Sequence, residues 1–141
     1  MKIAMTIPGE PQGKARPRFD SRNRRTYTPK KTKDYEDLIA TVYQMRSRGA
    51  TFGDRPVVLL VRAQMGVPKS DSAKTMLQKL QNMIRPTKKP DWDNIGKIVC
   101  DALNGLAWHD DAQIVDARVQ KFYSDEPRVE IIIKDLQEDN P

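Results

Sequence analysis

Residues 91–106 of the chain read DWDNIGKIVCDALNGL, and the interpretation of the whole sequence starts from this stretch. Its apolar residues recur at a helical spacing and so line one side of a helix. They are Ile95, Ile98, Val99, Ala102, Leu103 and Leu106. Pro90 favours an extended approach, which puts the first helical residue at about Asp93 or Asn94, and Asn104-Gly105 is a strong stop signal. The stretch therefore predicts an amphipathic helix that packs on a core.

The polar side of this helix carries the first candidate functional residues. Asp93, Lys97 and Asn104 fall opposite the apolar stripe, so they are free to line a cleft. Asp91 precedes Asp93 in extended chain and points to the same side. The same residues also fit a plain helix start, since Asp is a common N-cap and acids in the first turn suit the helix dipole. This segment alone favours the helix-start interpretation, with Lys97 as a routine partner of Asp93.

A second acidic pair, Asp110-Asp111, follows the helix and opens the next predicted strand. By itself the pair fits a polar turn. A helix of about 12 residues is roughly 18 Å long, so its two ends meet only if the chain folds back along it. Two or three aspartates that converged in this way would suit Mg²⁺, which prefers carboxylate oxygens and activates water for phosphodiester hydrolysis. The sequence permits such a metal site without establishing it.

The remaining chain predicts a single α+β domain over residues 1–141 with three helices and four strands. Prolines at 8, 11, 17 and 29 make residues 8 to about 30 a basic arm or a long open hairpin, and the tail from about 136 to 141 is expected to fray. The predicted strands cover Lys2–Ile7, Val57–Met65, Ile114–Tyr123 and Arg128–Lys134. The other predicted helices run from Thr32 or Asp34 to about Arg48, and from Ser70 to Ile84 with Ser70 or Asp71 as cap.

Charge is divided unevenly along the chain. Residues 1–90 carry a net charge of +13 and residues 91–141 carry −7, which gives the overall +6. The basic part suits a polyanion such as nucleic acid, and the acidic part suits cations. From charge alone, an uneven surface without such a role is the alternative.

Composition excludes several classes of protein. The single cysteine, Cys100, allows neither an internal disulfide nor a cysteine-rich metal site, and the single histidine, His109, excludes a histidine-based zinc site. His109 itself fits a plain loop residue. No apolar run approaches the roughly 18 residues needed to span a bilayer, and the N-terminus lacks the apolar stretch of a signal peptide. We therefore expect a cytoplasmic protein with no membrane contact.

Two groups of short motifs follow one another along the chain. The first group is Pro11-Gln12-Gly13-Lys14-Ala15-Arg16-Pro17-Arg18 with Tyr27-Thr28-Pro29 and Tyr35-Glu36. The second is Lys89-Pro90-Asp91-Trp92-Asp93-Asn94 with Lys97, then Asp101-Ala102-Leu103-Asn104-Gly105 and Asp110-Asp111-Ala112-Gln113-Ile114. Together these motifs resemble those of the RusA family of Holliday junction resolvases. The resemblance runs from about residue 3 to residue 134, and the order of the motifs makes it specific.

The resemblance implies a Mg²⁺-dependent endonuclease of recombination and repair that acts on four-way DNA junctions as a homodimer. Such proteins are often carried by prophages, and their fold is a small mixed sheet flanked by about three helices. The family's first two catalytic aspartates match Asp91 and Asp93, and its active-site lysine matches Lys97. Its third aspartate falls in the Asp110-Asp111 pair, where we favour Asp111. Pro90 departs from the family pattern next to the first aspartate.

Phosphate contacts and competing functions complete the expectations. The residues expected to neutralise DNA phosphates are Lys14, Arg16, Arg18, Lys30, Lys31, Lys88 and Lys89. Lys97 has two possible roles, at the phosphate or in an ion pair with Asp93 or Asp101. Trp92, Trp108 and the helix around Met76 are candidate dimer surfaces. The alternatives are a non-catalytic nucleic-acid-binding protein and a general or flap nuclease.

Overall fold

The computed structural model describes residues 1–136 and has the predicted α+β architecture. In chain order the elements are β1 (Lys2–Pro8), β2 (Arg18–Asp20), β3 (Arg25–Tyr27), α1 (Lys30–Ser47), β4 (Val57–Gly66), α2 (Ala73–Leu80), α3 (Trp92–Leu103), β5 (Ile114–Ser124) and β6 (Arg128–Asp135). A short 3₁₀ turn, Asp111–Gln113, precedes β5. The predicted frayed tail lies outside the described residues from position 137 onward.

Four strands form one mixed sheet in the order β1-β6-β4-β5. Strand β6 is antiparallel to both β1 and β4, whereas β4 and β5 are parallel. A parallel pair needs a long crossover connection, and here the crossover contains α2 and α3. Strands β2 and β3 form a separate two-stranded hairpin within the basic arm.

The core lies between one face of the sheet and the helices α1 and α3. Alternate residues of β1 and β6 point into it, and Ile98 and Leu103 of α3 are fully buried in the same cluster. Truncating such a side chain to alanine typically costs about 2–5 kcal/mol of stability. Trp108 is also fully buried, so it is a core residue and not the dimer surface that the sequence suggested.

The starts of two helices differ from the prediction, and in α2 the reason is a different capping residue. Helix α2 is shorter than Ser70–Ile84, and Ser72 is its cap, since the Ser72 hydroxyl accepts a hydrogen bond from the Thr75 N–H. Asp71 pairs with Lys79 instead. Helix α1 begins at Lys30 directly after Pro29, and the predicted cap Thr32 lies buried inside its first turn.

Helix α3 matches its predicted end and starts slightly earlier than predicted. It begins at Trp92, with Asp91 in the N-cap position, and ends at Leu103. Gly105 follows with a φ of +78°, a left-handed conformation that glycine adopts without strain. None of the helices within residues 1–136 has the length and apolar character needed to cross a membrane.

Candidate active site

The start of α3 presents two exposed carboxylates. Asp91 occupies the N-cap position, but its side chain makes no capping hydrogen bond. Asp93 accepts a hydrogen bond from the backbone N–H of its neighbour Asn94 at 3.0 Å. No ion pair in the described part of the chain joins either carboxylate to a lysine or arginine. Helix capping therefore does not account for Asp91, and both carboxylates face solvent.

This pair fits the way in which proteins hold Mg²⁺. The ion binds through one or two carboxylates and completes its shell with waters and substrate phosphates. Across residues 1–136, however, no group of three or more His, Cys, Asp or Glu side chains is close enough together to hold a metal ion. The assignment of Asp110 and Asp111 as further ligands therefore stays a prediction.

The carboxylate of Asp110 holds the turn before β5. It accepts a hydrogen bond from the Ala112 N–H at 3.1 Å, while Gln113 Oε1 accepts one from the Asp110 N–H at 2.8 Å. The Nε2 of Gln113 also donates to the carbonyls of Gly53 and Arg55, at 2.7 and 2.9 Å. Sequence reasoning missed this role of Gln113, although an acid followed three residues later by glutamine is a capping-box signal.

Asp111 is partly buried and held by a tryptophan. Its Oδ1 accepts a hydrogen bond from Trp108 Nε1 at 2.8 Å. Asp111 also acts on Cys100 in the last turn of α3. Burial, together with the negative charges of Asp111 and Asp101, raises the pKa of Cys100 to about 12 against the opposing effect of Lys97. Asp111 therefore belongs electrostatically to the C-terminal half of α3.

The chain does fold back along α3, as a shared site would require. Strand β5 packs on the helix, and a Cβ added to Gly96 would lie 3.4 Å from the Val119 side chain. The middle of β5 therefore runs beside the first half of α3, whereas Asp111 at its entrance stays near Cys100.

Lys97 pairs with Asp101 and not with Asp93. The Lys97 Nζ lies 3.7 Å from Asp101 Oδ2, and the lysine side chain remains 60% exposed. Asp101 also forms a closer ion pair, at 3.1 Å, with Lys14 of the arm. The charge of Lys97 is therefore only weakly engaged within the protein and is open to a ligand.

Lys14 attaches the arm to the two long helices. Its Nζ contacts Glu36 of α1 at 2.5 Å as well as Asp101 of α3, and its side chain is largely buried. Burial acts to lower the pKa of Lys14, but the hydrogen bonds and charges of Glu36 and Asp101 outweigh it and the pKa is raised. A DNA phosphate at Lys14 would compete with these two carboxylates.

The backbone of the arm also contacts the start of α3. The Lys14 N–H donates to the Asn94 carbonyl at 2.9 Å. A Cβ at Gly13 would lie only 2.9 Å from Pro90 Cβ and 3.0 Å from Asn94 Cβ, so glycine is required by this close approach. The arm and the aspartate-bearing turn are thus one packed unit.

A groove of about 780 Å³ lies between the arm and α3. Four basic residues that the sequence assigned to DNA line it, together with Asp91. They are Lys14, Arg16, Lys31 and Lys89. Because three of these four have no acidic partner within residues 1–136, the groove offers positive charge beside an exposed carboxylate.

The other three predicted DNA contacts lie elsewhere. Lys30 pairs with Asp34 on the exposed side of α1, at 2.9 Å. Arg18 is on the hairpin β2–β3. Lys88 lies beyond the groove, where its carbonyl accepts a hydrogen bond from Lys121 and its ammonium lies 5.9 Å from the centre of the Tyr123 ring. The structure therefore gathers about half of the predicted contacts in one place.

A groove that combines basic side chains with the exposed carboxylate of Asp91 in its wall suits a protein that binds a polyanion such as nucleic acid. The family model described as endodeoxyribonuclease RusA matches residues 8–134. This chain belongs to the RusA endodeoxyribonuclease family, which supports a nuclease that acts on DNA. It is also similar to the uncharacterized protein YqaN of Bacillus subtilis (strain 168), with 41% identity over 138 residues that cover 95% of this chain and 96% of YqaN.

Proposed function

We propose that this chain is a Mg²⁺-dependent endodeoxyribonuclease that resolves four-way DNA junctions as a homodimer. The observation that carries the proposal is the groove lined by Lys14, Arg16, Lys31 and Lys89, with the exposed carboxylate of Asp91 in its wall. Membership of the RusA family supports DNA as the substrate.

In this proposal Asp91 and Asp93 hold the ion, and Asp111 is the favoured third ligand. Within residues 1–136, Asp111 accepts a side-chain hydrogen bond at Oδ1 and none at Oδ2, whereas Asp110 is engaged in the capping box. Asp111 is therefore better suited than Asp110 to an additional ligand. A bound Mg²⁺ supplies positive charge at the scissile phosphate and acidifies an attacking water. The exposed ammonium of Lys97 lies one turn beyond Asp93 and stabilises charge on the phosphate.

The basic residues position the DNA without reading its sequence. Arg16, Lys31 and Lys89 neutralise phosphates along the groove, and each neutralised phosphate adds about −0.9 to the slope of log affinity against log salt. Lys14 contributes mainly by fixing the arm to α1 and α3. Contacts of this kind select the shape of the backbone path, which suits a structure-selective enzyme.

Two subunits are part of the proposal because a four-way junction is resolved by two symmetric cuts. A two-fold dimer places two identical sites symmetrically about the branch point. The exposed Trp92 beside the site and the exposed apolar residues of α2 are candidate contacts between subunits. We also propose a cytoplasmic role in recombination and repair, in a protein of the type carried by prophages.

The deciding experiment is cleavage of a labelled four-way junction by the purified protein, with Mg²⁺ or with EDTA, beside a linear duplex of equal length. We expect paired symmetric nicks in the junction, in Mg²⁺ only. Equal cleavage of the linear duplex would replace the proposal with a general nuclease. Tight junction binding without cleavage in any divalent metal would replace it with a binding protein.

A further inference from the structure

The hairpin formed by β2 and β3 projects from the protein as a separate unit, which we call the arm hairpin (residues 18–27). Its strands pack mainly on each other. They pair Arg18 with Tyr27, Phe19 with Thr26 and Asp20 with Arg25. All of its residues are exposed except Asp20, which is partly exposed. The arm hairpin is therefore placed to meet a partner, since it adds almost nothing to the core.

Internal hydrogen bonds fix the shape of the arm hairpin. One carboxylate oxygen of Asp20 accepts from the Arg22 N–H at 2.9 Å, and the other accepts from Asn23 Nδ2 at 3.0 Å. The turn ends at Arg24, which adopts a left-handed φ of +51°. The hairpin thus presents its outer side chains in a defined geometry without support from the rest of the domain.

Two aromatic rings are exposed on opposite faces of the arm hairpin. Cross-strand partners share a face and successive residues alternate, so Phe19 lies with Thr26, while Tyr27 lies with Arg18 and Arg25. Phe19 is 62% exposed and Tyr27 is 49% exposed. A phenylalanine has no polar group to satisfy in water, and the exposed Phe19 ring is a large apolar surface that the rest of residues 1–136 leaves open to contact.

The charge around these rings identifies the partner as nucleic acid. Five arginines and a single acid occupy residues 16–27, and the acid, Asp20, is engaged in the turn. The arginines are Arg16, Arg18, Arg22, Arg24 and Arg25. Arginine clusters neutralise phosphates, and exposed aromatic rings stack on bases that are not stacked on each other. The bases of an intact duplex are stacked on each other, whereas stacking is interrupted at an open branch point, where a ring can contact a base.

The arm hairpin is also within reach of the candidate active site. Lys14 is fixed against α3, and Phe19 follows it by five residues. Five extended residues span at most about 18 Å, so the Phe19 ring stays near the groove. A base at the branch point and a phosphate in the groove can therefore be contacted by the same subunit.

We infer that Phe19 stacks on a base exposed at the branch point of the DNA, while the hairpin arginines hold the flanking phosphates. The inference rests on the proposed function for the branched substrate, and it adds a positioning residue outside the metal site. Tyr27, on the opposite face, serves as the matched control because it is an exposed aromatic of the same hairpin.

The test uses a four-way junction with 2-aminopurine beside the branch point, titrated with the full chain in EDTA. We expect wild-type protein to raise the fluorescence as the base leaves its stack. Phe19→Ala should remove most of this increase and weaken junction affinity by about fivefold or more, with unchanged affinity for linear duplex. Tyr27→Ala should keep the increase. Arg22→Ala should weaken binding to both the junction and the linear duplex, and should reduce the slope of log affinity against log salt by about 0.9.

Three outcomes would overturn the inference. They are a full fluorescence increase with Phe19→Ala, equal losses with Phe19→Ala and Tyr27→Ala, and complete rescue by Phe19→Leu, which cannot stack. Rescue by Phe19→Trp supports it. The fluorescence and affinity measurements need no cleavage. A protein that cleaves no junction, but loses the fluorescence increase on Phe19→Ala, would therefore refute the proposed function alone. Junction cleavage that is indifferent to Phe19 and lacks the fluorescence effect would refute the inference alone.

Discussion

The two aspartate pairs beside α3, Asp91 with Asp93 and Asp110 with Asp111, differ in the hydrogen bonds that their carboxylates accept within the protein. Asp110 and Asp111 accept hydrogen bonds from the Ala112 N–H and the Trp108 indole, and these bonds shape the entrance to β5. Asp91 and Asp93 are exposed, and Asp93 accepts a hydrogen bond from the backbone N–H of its neighbour Asn94. The pair that contributes less to the fold is therefore the pair with more capacity for an external cation. Similar sequence signals thus correspond to different structural roles.

The largest expected effect is that of Asp93→Asn. We expect it to abolish junction cleavage while junction binding and thermal stability stay close to wild type, because the carboxylate is exposed and makes no ion pair in the described chain. Cleavage in Mg²⁺ and gel-shift affinity in EDTA measure the two properties. Cleavage that survives the substitution would return Asp93 to the role of a helix-start residue.

Asp111→Asn distinguishes a metal-ligand role of Asp111 from a purely structural role. The amide oxygen still accepts from Trp108 Nε1, so the cost in stability should be only about 1 kcal/mol, the difference between a charged and a neutral acceptor. If Asp111 is the third ligand, cleavage should fall about a hundredfold, since even loss of outer-shell partners costs 10–100-fold. Denaturant unfolding and junction cleavage are compared, and undiminished cleavage would remove Asp111 from the metal site.

Gly13→Ala should displace Asp91 and Asp93 without disturbing Asp110 and Asp111. The new Cβ would sit 2.9 Å from Pro90 Cβ, so the arm or the start of α3 must shift. We expect cleavage to fall by about tenfold or more, because small displacements near a reacting centre have large effects on rate. Gly96→Ala is the control, since its Cβ makes an ordinary 3.4 Å contact and helix propensity should add about 1 kcal/mol of stability. Equal activity of the two variants would contradict the coupling of arm and helix.

Asp110→Ala tests the structural side of the comparison. Loss of the cap should cost about 1 kcal/mol of unfolding free energy. Cleavage per folded molecule should stay near wild type, measured well below the melting temperature. Asp116→Ala on β5 removes the same charge from an exposed strand position and is the matched control. A loss of activity specific to Asp110→Ala would make Asp110 the better ligand candidate.

The pKa of Cys100 depends on burial of the thiol and, next, on the charge of Asp111. This pKa is raised to about 12 from an ordinary value of 9.0, so at pH 8 the thiol should react with iodoacetamide far more slowly than a free thiol. The folded protein keeps this proton to higher pH than the unfolded chain. The resulting stability is present below about pH 9 and is lost as the pH rises toward 12. In EDTA, Asp111→Asn should lower this pKa and Asp91→Asn should not. Equal shifts would contradict a specific effect of the Asp111 charge on Cys100.

Local sequence signals predicted most elements of this fold. The apolar period of α3 gave its position and its polar side, and Asn104-Gly105 marked its end correctly. Helix α2 was predicted too long because its apolar residues continue past Leu80, whereas the chain leaves the helix there and Asn82 adopts a φ of +62°. The parallel pairing of β4 with β5 was not predicted, since strand partners depend on contacts across the whole domain.

Only those features of the site that depend on neighbouring residues in the sequence could be predicted. The exposed positions of Asp91 and Asp93 follow from their place at the start of α3. Lys14 forms ion pairs with Glu36 and Asp101, which lie 22 and 87 positions away in the sequence, and no local pattern predicts them. Sequence reasoning therefore treated Lys14 like any other basic residue of the arm. The same limit applies to Gln113, whose partners Gly53 and Arg55 lie on a distant loop.

The parallel pairing of β4 with β5 also has a consequence for protein synthesis. Helix α3 lies in the crossover between these strands, and the turn bearing Asp111 is anchored through Gln113 to the segment before β4. A nascent chain that has not yet emerged beyond α3 carries Asp91 and Asp93 but has no β5 to fix that helix in place. Completion of β5 and β6 closes the sheet late, as expected for contacts of high sequence separation. We therefore expect α3, with its two aspartates, to reach its final position only after β5 has been synthesised.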